Sequence, residues 1–314
     1  MYASPARICH MYYGLSLTQQ QIAEQLGVSR ISVSRLLQQA RADGIVQITI
    51  DFHGYYPRLE EALGALYPGC RFVVADPLDG GDEEVKESVA QTAAGVLTAL
   101  VRASGTIAVG WGSTLKTLAA HVRGDLRGTT VVPLAGGQVH AEVDLHATTI
   151  AEGLARRVGA RSARLFAPAV AASAQEREGL MRSRQVTDTM RLARSADVAV
   201  FSVGSPFSRT STLHEVGYYT AAEIDHLRAA RVECDIISAA YFDAQGRSCC
   251  EDLTARTVSL SAGELRAIPR KLCVAGGESK HLAVRLALEK GFCDVLVTDA
   301  DTAECLLAAG RAEE

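Results

Sequence analysis

Four times in this chain an apolar, strand-like run ends in glycine and gives way to a more polar turn. Thr106 to Val109 leads into Gly110-Trp111-Gly112-Ser113-Thr114, and Val131 to Ala135 into Gly136-Gly137-Gln138. Val198 to Val203 leads into Gly204-Ser205, and Leu272 to Ala275 into Gly276-Gly277-Glu278-Ser279-Lys280, ahead of the helical run His281 to Lys290. Short apolar strands alternating with helical patterns predict a mostly parallel sheet covered on both faces, that is, a doubly wound α/β domain. In such a sheet ligands bind outside the carboxyl ends of the strands, so several glycine-bearing ends are expected to share one crevice.

The residues at these ends suggest what the crevice takes. Glycine lets the backbone approach a ligand, and the start of the following helix offers free amides to an anion. Ser113 and Thr114 add hydroxyl donors, and Lys280 adds a positive charge, so phosphate is the anion the pattern favours. The candidate site is therefore Gly110, Trp111, Gly112, Ser113, Thr114, Gly136, Gly137, Gln138, Gly276, Gly277 and Lys280. A glycine after a strand often marks only a tight turn; four of them with these polar neighbours make the case. Trp111 can stack on a ligand or pack in the core, and Arg209 can reach a phosphate or stay solvated. No G-x-x-x-x-G-K-[ST] string occurs and the first turn is not a full G-x-G-x-x-G, so no nucleotide cofactor is predicted. The alternation His140, Glu142, Asp144, His146 has metal-binding residue types, but alternation is also what a half-buried strand face shows, and no metal site is assigned.

The first fifty residues follow another rule. Ile8, Met11 and Tyr12 recur at helical spacing between Pro5 and Tyr13, with Gly14 as a stop. Thr18 and Gln21 have the form of a capping box ahead of Ile22, Ala23 and Leu26, and Gly27 ends that second helix. Ser29 caps a third, with Val33, Leu36, Leu37 and Ala40 inward and Arg30, Ser32, Ser34, Arg35, Gln38 and Gln39 outward. Two helices joined through Gly27-Val28-Ser29 form a helix-turn-helix, whose second helix enters the DNA major groove. Candidate DNA contacts are Thr18, Gln19, Ser29, Arg30, Ser32, Ser34 and Arg35; arginine pairs with guanine, and serine serves phosphate or base. The alternative is a three-helix interaction module with a solvated polar face. Ile45 to Ile50 alternates as a strand, so a wing is expected, followed by a linker from Asp51 to Tyr56 and the boundary Pro57. The expected domains are a winged reader over residues 1–52 and an α/β domain over residues 57–314.

Charge and cysteine usage narrow the function. The chain of 314 residues has a formal net charge of −4, but residues 1–50 hold Arg7, Arg30, Arg35 and Arg41 against only Glu24 and Asp43, which makes them +2 and the remainder −6. So few cations bind phosphate weakly in a single copy, so a homo-oligomer is expected on the DNA. No run of 18 apolar residues suggests a membrane span, and a cytoplasmic location is expected. The 8 cysteines include no C-x-x-C pair, which argues against a zinc ribbon or redox dithiol.

The run from Leu17 to Val46, with Gln21-Ile22-Ala23, Leu26-Gly27-Val28-Ser29-Arg30, Val33-Ser34-Arg35-Leu36-Leu37 and Gly44-Ile45-Val46, resembles the SorC/DeoR-type sugar-responsive transcriptional regulators. The resemblance continues over nearly the whole chain, through Gly110 to Leu115, Leu134 to Gly137, Ala167-Pro168, Ala196 to Gly204, Asp235-Ile236, Phe242-Asp243 with Gly246, Ala275 to Lys280 and Leu296 to Asp299. It implies an effector domain of the sugar-phosphate isomerase type, operator DNA binding controlled by a phosphorylated sugar, and a dimer or tetramer. It also implies that Asp235 accepts hydrogen bonds from sugar hydroxyls and that Lys280 touches the ligand. Two departures, Cys234 where relatives commonly have glycine and the polar run Gln138 to His146, bear on which sugar is bound. A competing expectation is a sugar-phosphate isomerase or deaminase with Asp235, Glu278 or Asp299 as acid or base, which rests on fold analogy alone. A sugar-kinase-like repressor would need a nucleotide-phosphate motif that the chain lacks.

Overall fold

The computed structural model describes residues 4–46, 56–76, 81–102, 104–137, 143–208, 211 and 219–312. The chain divides into two compact units, Met1–Ile50 and Asp51–Glu314.

In the first unit, Ser4 caps α1 (Pro5–Cys9) by accepting the Arg7 amide, and Pro5 occupies the first turn, where a missing N–H costs nothing. The expected single helix to Tyr13 instead widens into a π-helical turn over His10–Gly14, closed by Leu15 N–H donating to the His10 carbonyl at 2.9 Å. The His10 ring covers Gly14 so closely that a Cβ there would lie 2.6 Å from Nδ1. Helix α2 (Gln19–Leu26) begins with the capping box of Thr18 and Gln21, and Gly27 ends it at φ +66°, a left-handed cap suited to glycine. Helix α3 (Arg30–Ala42) starts with the Ser32 amide donating to Ser29 Oγ at 3.1 Å. Ile8, Cys9, Met11, Ile22, Ala23, Val33, Leu37 and Ala40 form the core of this unit, with Leu26, Leu36 and Val46 half-buried against it. The expected wing runs into residues 47–50 and the linker into residues 51–55, which lie outside the described residues.

The second unit opens with α4 (Pro57–Leu66), β1 (Arg71–Ala75), α5 (Asp82–Leu100), β2 (Thr106–Val109), α6 (Ser113–His121), β3 (Thr130–Pro133), α7 (Ala147–Val158) and β4 (Arg161–Ser162). It continues with α8 (Ala174–Arg182), α9 (Arg184–Arg194), β5 (Val198–Phe201), α10 (Ala221–Ala229), β6 (Val232–Ile236), β7 (Ala240–Asp243) and β8 (Ser248–Cys249). It closes with α11 (Glu251–Arg256), α12 (Ala262–Ala267), β9 (Lys271–Val274), α13 (His281–Glu289), β10 (Val295–Asp299) and α14 (Ala300–Ala312). Seven strands form one parallel sheet in the order β1-β10-β9-β5-β2-β3-β4. Strand residues alternate between two cores. Phe72, Val74, Ala108, Val132, Ala199, Phe201 and Cys273 pack with residues of α4, α9, α13 and α14, while Val73, Ile107, Val109, Val131, Val198, Val200 and Val274 pack with α5, α6 and α7. This is the doubly wound fold expected from the glycine-ended strands. The small antiparallel sheet β6-β7-β8 departs from the parallel pattern. Its first hairpin turns through Ile237 (φ +44°) and Ser238 (φ +62°), a turn that ordinarily selects glycine or asparagine and so carries no sequence signal here.

Candidate functional site

The order of the sheet reverses between β2 and β5: from β2 the chain winds outward through β3 to β4, then returns to lay β5 on the other side of β2. A crevice opens beyond the carboxyl ends of these two strands, where a switch-point site belongs. It is lined by Trp111, Gly112, Ser113 and Thr114 after β2, by Ser202, Val203, Gly204, Ser205, Pro206, Ser208 and Ser211 after β5, by Asp235 and Ile237 from the β6–β7 hairpin, and by Lys280.

Each wall has a local cause. Gly112 stands at φ +107° as the N-cap of α6, and having no side chain it supplies no cap to the first amides of that helix. Thr114 is buried in the first turn of α6. Trp111 packs against the apolar cluster of Leu145, Val170, Tyr219, Leu227 and Tyr241 while one side of it faces the crevice, so its packing and lining roles coincide. The stem of Lys280 crosses Gly204, whose Cβ position would lie 3.7 Å from Lys280 Cε. Its Nζ ends 3.4 Å from Ser202 Oγ and 3.5 Å from Thr114 Oγ1, both at the limit of a hydrogen bond. Among the described residues no carboxylate forms an ion pair with Lys280, and burial lowers its pKa from the usual lysine value.

Asp235 is buried and takes the Ser238 amide on Oδ1 at 2.6 Å, while its own amide donates to the Gly204 carbonyl at 2.9 Å. Burial pushes its pKa up to about 7, against which the Ser238 amide acts by favouring the ionised form. The left-handed turn beside it is held by Ser238 Oγ and Tyr219 Oη at 2.5 Å and by Tyr219 Oη and Tyr241 Oη at 2.6 Å.

The other predicted glycines stand elsewhere. Gly110 lies beneath the crevice rather than on its wall; a Cβ there would sit 3.1 Å from Ile237 Cγ2 and 3.3 Å from Phe201 Cβ. Gly136 is pressed against the Ala167 and Pro168 carbonyls, and its amide donates to Val258. Gly137 donates to Ala167 and accepts from Ala169. That turn is used for chain pairing and does not line the crevice. Gln138 lies outside the described residues, as do Arg209, His140 and Glu142. Asp144 is exposed 3.4 Å from Lys116 Nζ, whereas His146 is buried at the start of α7, so these two do not share the exposed face their alternation suggested. Gly276 and Gly277 also leave the wall: Asp299 Oδ2 accepts the Gly277 amide at 2.8 Å. Ser202, Ser208, Ser211 and Ile237 lie outside the predicted set, whereas Ser205 belongs to the Gly204 turn expected at the crevice. The sequence signal that points to the serines is the hydroxyl-rich stretch on both sides of Gly204; Ile237 has none.

In the first unit, the N-cap Ser29 and, on α3, Arg30 and Arg35 are exposed, and Ser32 and Ser34 are half-buried. Ser29 and Ser32 share a hydroxyl contact of 2.9 Å within the cap, and Thr18 is engaged with Gln21, so these three side chains already serve helix starts. Among the described residues neither Arg30 nor Arg35 has an ion-pair partner. Ile31, which is absent from the predicted contacts, is 80% exposed and lies one turn from Arg35. Tyr12, Tyr13, Ser16, Leu17, Thr18, Gln19, Gln20 and Arg30 line a groove beside the start of α2.

A helix-turn-helix unit joined to a doubly wound unit with a polar switch-point crevice defines a transcriptional regulator with a ligand-binding domain. The family described as "Putative sugar-binding domain" matches residues 56–308, and the Crp-like helix-turn-helix domain matches residues 6–55. The chain is 31% identical over 306 residues to the sorbitol operon regulator of Klebsiella pneumoniae, covering 96% of each chain. It is 29% identical over 303 residues to the deoxyribonucleoside regulator of Bacillus subtilis strain 168, covering 95% of each. The crystal structure of the full-length Klebsiella sorbitol operon regulator superimposes with a TM-score of 0.72 at 29% identity, over 96% of this chain and 98% of that one. The chain belongs to the SorC/DeoR family of sugar-responsive transcriptional regulators. It is a DNA-binding regulator with a sugar-binding domain and not an isomerase or deaminase. The three carboxylates considered for acid–base chemistry do not share the crevice: Asp235 lines it, Asp299 is tied to Gly277 and Thr302, and Glu278 is exposed. Among the described residues no helix is long and apolar enough to cross a membrane.

Proposed function

We propose that the crevice takes a phosphorylated sugar and that its occupation changes how two or more copies of the reader meet double-stranded operator DNA. The observation that carries this reading is Lys280: a half-buried cation at the crevice, with two long hydroxyl contacts and no carboxylate partner among the described residues. A cation drawn partly out of water without a counter-charge is disfavoured, and a bound anion offsets that cost. The uncapped start of α6 adds backbone amides for the same anion. Asp235 and the serines after β5 supply acceptors and donors for sugar hydroxyls. In the reader, Arg30, Ile31, Ser34 and Arg35 address the bases, while Thr18, Gln19, Ser29 and Ser32 meet phosphate at the two helix starts. The modest charge of the reader favours an oligomer, and the exposed Phe166 and Leu192 of the second unit offer apolar surface for it. The assembly is read as a dimer or tetramer in the cytoplasm.

The test is a panel of phosphorylated and unphosphorylated sugars scored by calorimetry and by anisotropy of labelled operator DNA. A true effector at about 100 times its dissociation constant stabilises the protein by about 2.7 kcal/mol. Lys280→Met removes the charge while keeping much of the stem, so the phosphorylated sugar should bind roughly 10- to 150-fold more weakly, with DNA affinity in its absence unchanged. Equal affinity in parent and variant, or equal response to the unphosphorylated sugar, overturns the assignment.

A further inference from the structure

Gly276 and Gly277 stand between β9 and Lys280, yet neither lines the crevice. Their surroundings explain the glycines in another way. Asp299, the last residue of β10, caps α14 by accepting the Thr302 amide on Oδ1 at 3.0 Å. Its other oxygen, Oδ2, accepts both the Thr302 hydroxyl at 2.6 Å and the Gly277 amide at 2.8 Å. Thr302 Oγ1 lies 3.2 Å from the same Gly277 amide. The Gly277 carbonyl in turn accepts the Lys280 amide at 2.9 Å, closing the single helical turn that presents the lysine. One residue is thus held on its N–H side by a buried carboxylate and on its C=O side by the residue that carries the charge. The fit is tight: a Cβ added at Gly276 would run into Asp299 Oδ2, and Gly277 stands at φ +92°. Asp299 and Thr302 are both buried, so the contact is sheltered from water.

We propose that Asp299 and Thr302 are positioning residues for the effector site, fixing the Gly276–Gly277 turn so that Lys280 reaches across Gly204 into the crevice. This rests on the reading of Lys280 as an anion contact. The carboxylate does not touch the ligand; it occupies the glycine amide that a sequence reading would offer to the phosphate. A neutral amide in its place leaves one acceptor oxygen where the Thr302 and Gly277 N–H groups now have one each, so the two compete for it and one faces an NH2, which loosens the turn without altering the crevice wall.

The experiment is a double-mutant cycle on the full chain with inorganic phosphate as the probe, read as the shift in melting temperature against phosphate concentration, with chloride of equal ionic strength as the control. In the parent background Asp299→Asn is expected to raise the half-saturating phosphate concentration about tenfold, the equivalent of about 1.4 kcal/mol. In the Lys280→Met background the same substitution is expected to change it less than twofold, although it lowers the ligand-free melting temperature equally in both. A purely structural role for Asp299 shifts the melting temperature but leaves the phosphate titration unmoved, which overturns the proposal. Additive losses for the two substitutions also overturn it, while leaving Lys280 as an anion contact. Phosphate with no effect on the parent beyond that of chloride overturns the anion reading itself. Should Asp299→Asn not fold, Thr302→Val supplies the same comparison, because it keeps the shape and removes only the hydroxyl; an effect that persists in full without Lys280 counts against the proposal in the same way.

Discussion

The two units of this chain are specified at different distances along it. The start of α2 is fixed by Thr18 and Gln21, three residues apart, and the start of α3 by Ser29 and Ser32, again three apart. The crevice is assembled from segments as far apart as Thr114 and Lys280, 166 residues distant, and Lys280 and Ser202, 78 distant. Local capping makes the reader a unit whose helices begin where the sequence says they begin. The crevice depends on the sheet first bringing the ends of β2, β5 and β9 together. A change in the reader should therefore act within a turn of its own position, whereas a change in the crevice should be felt through burial and charge.

The largest expected effect lies at Asp235. Its carboxyl titrates at about 7 in the folded protein against an ordinary value of 3.8, because burial penalises the ionised form. The folded state holds this proton more tightly than the unfolded chain, so the contribution to stability is complete below about pH 4 and is lost as the pH rises towards 7. Over that window the loss amounts to about 4 kcal/mol at most. Asp235→Asn keeps the acceptor for the Ser238 amide and cannot ionise, so it should be more stable than the parent at pH 8 and close to it at pH 4. Urea denaturation at the two pH values measures this, and parallel pH profiles for the two proteins would remove the burial argument.

That asymmetry also governs how much could be read from the sequence. Four of the seven parallel strands, β2, β3, β5 and β9, followed from apolar runs ended by glycine, and the caps of α2 and α3 followed from residue types. The role of each glycine did not. A glycine after a strand is required equally by a ligand, by a carbonyl, as at Gly136 against Pro168, or by a carboxylate, as at Gly276 against Asp299, and only the fold says which partner has come near. The hairpin that carries Asp235 was illegible for a different reason: the left-handed backbone at Ile237 and Ser238 is held through Ser238 by the Tyr219 hydroxyl, 19 residues away, which in turn meets the Tyr241 hydroxyl. The π-helical turn at His10–Gly14 likewise has no composition signal.

The next effect in size falls on the reader and should be confined to it. Arg35→Ala and Arg30→Ala are each expected to weaken operator binding by about 1 to 3 kcal/mol if the guanidinium meets a guanine edge. Ile31→Ala should lose affinity only where the operator presents a thymine methyl. Effector binding measured by calorimetry should be the same in all three variants. Loss of affinity that is equal on random DNA would reassign the arginines from base reading to phosphate contact, with a salt slope reduced by about one for each.

The smallest effect gives the sharpest contrast. Thr18→Ala removes the hydroxyl that accepts the Gln21 amide at 3.3 Å, but leaves the Thr18 backbone amide free to donate to Gln21 Oε1, now 2.9 Å away. Half of the capping box survives, so the cost should be about 1 kcal/mol, within the range for loss of an N-cap side chain. Thr18→Gly is expected to cost less than Thr18→Ala, by several tenths of a kcal/mol, because glycine tolerates the non-helical cap backbone and leaves the first amides open to water. The loss should appear as faster amide hydrogen exchange across α2 and the facing residues of α3, with exchange in β2, β5 and β9 unchanged, since the capping contacts reach only three residues. If alanine at Thr18 instead loosened the strands that frame the crevice, the separation of local from long-range specification drawn between the two units would not hold.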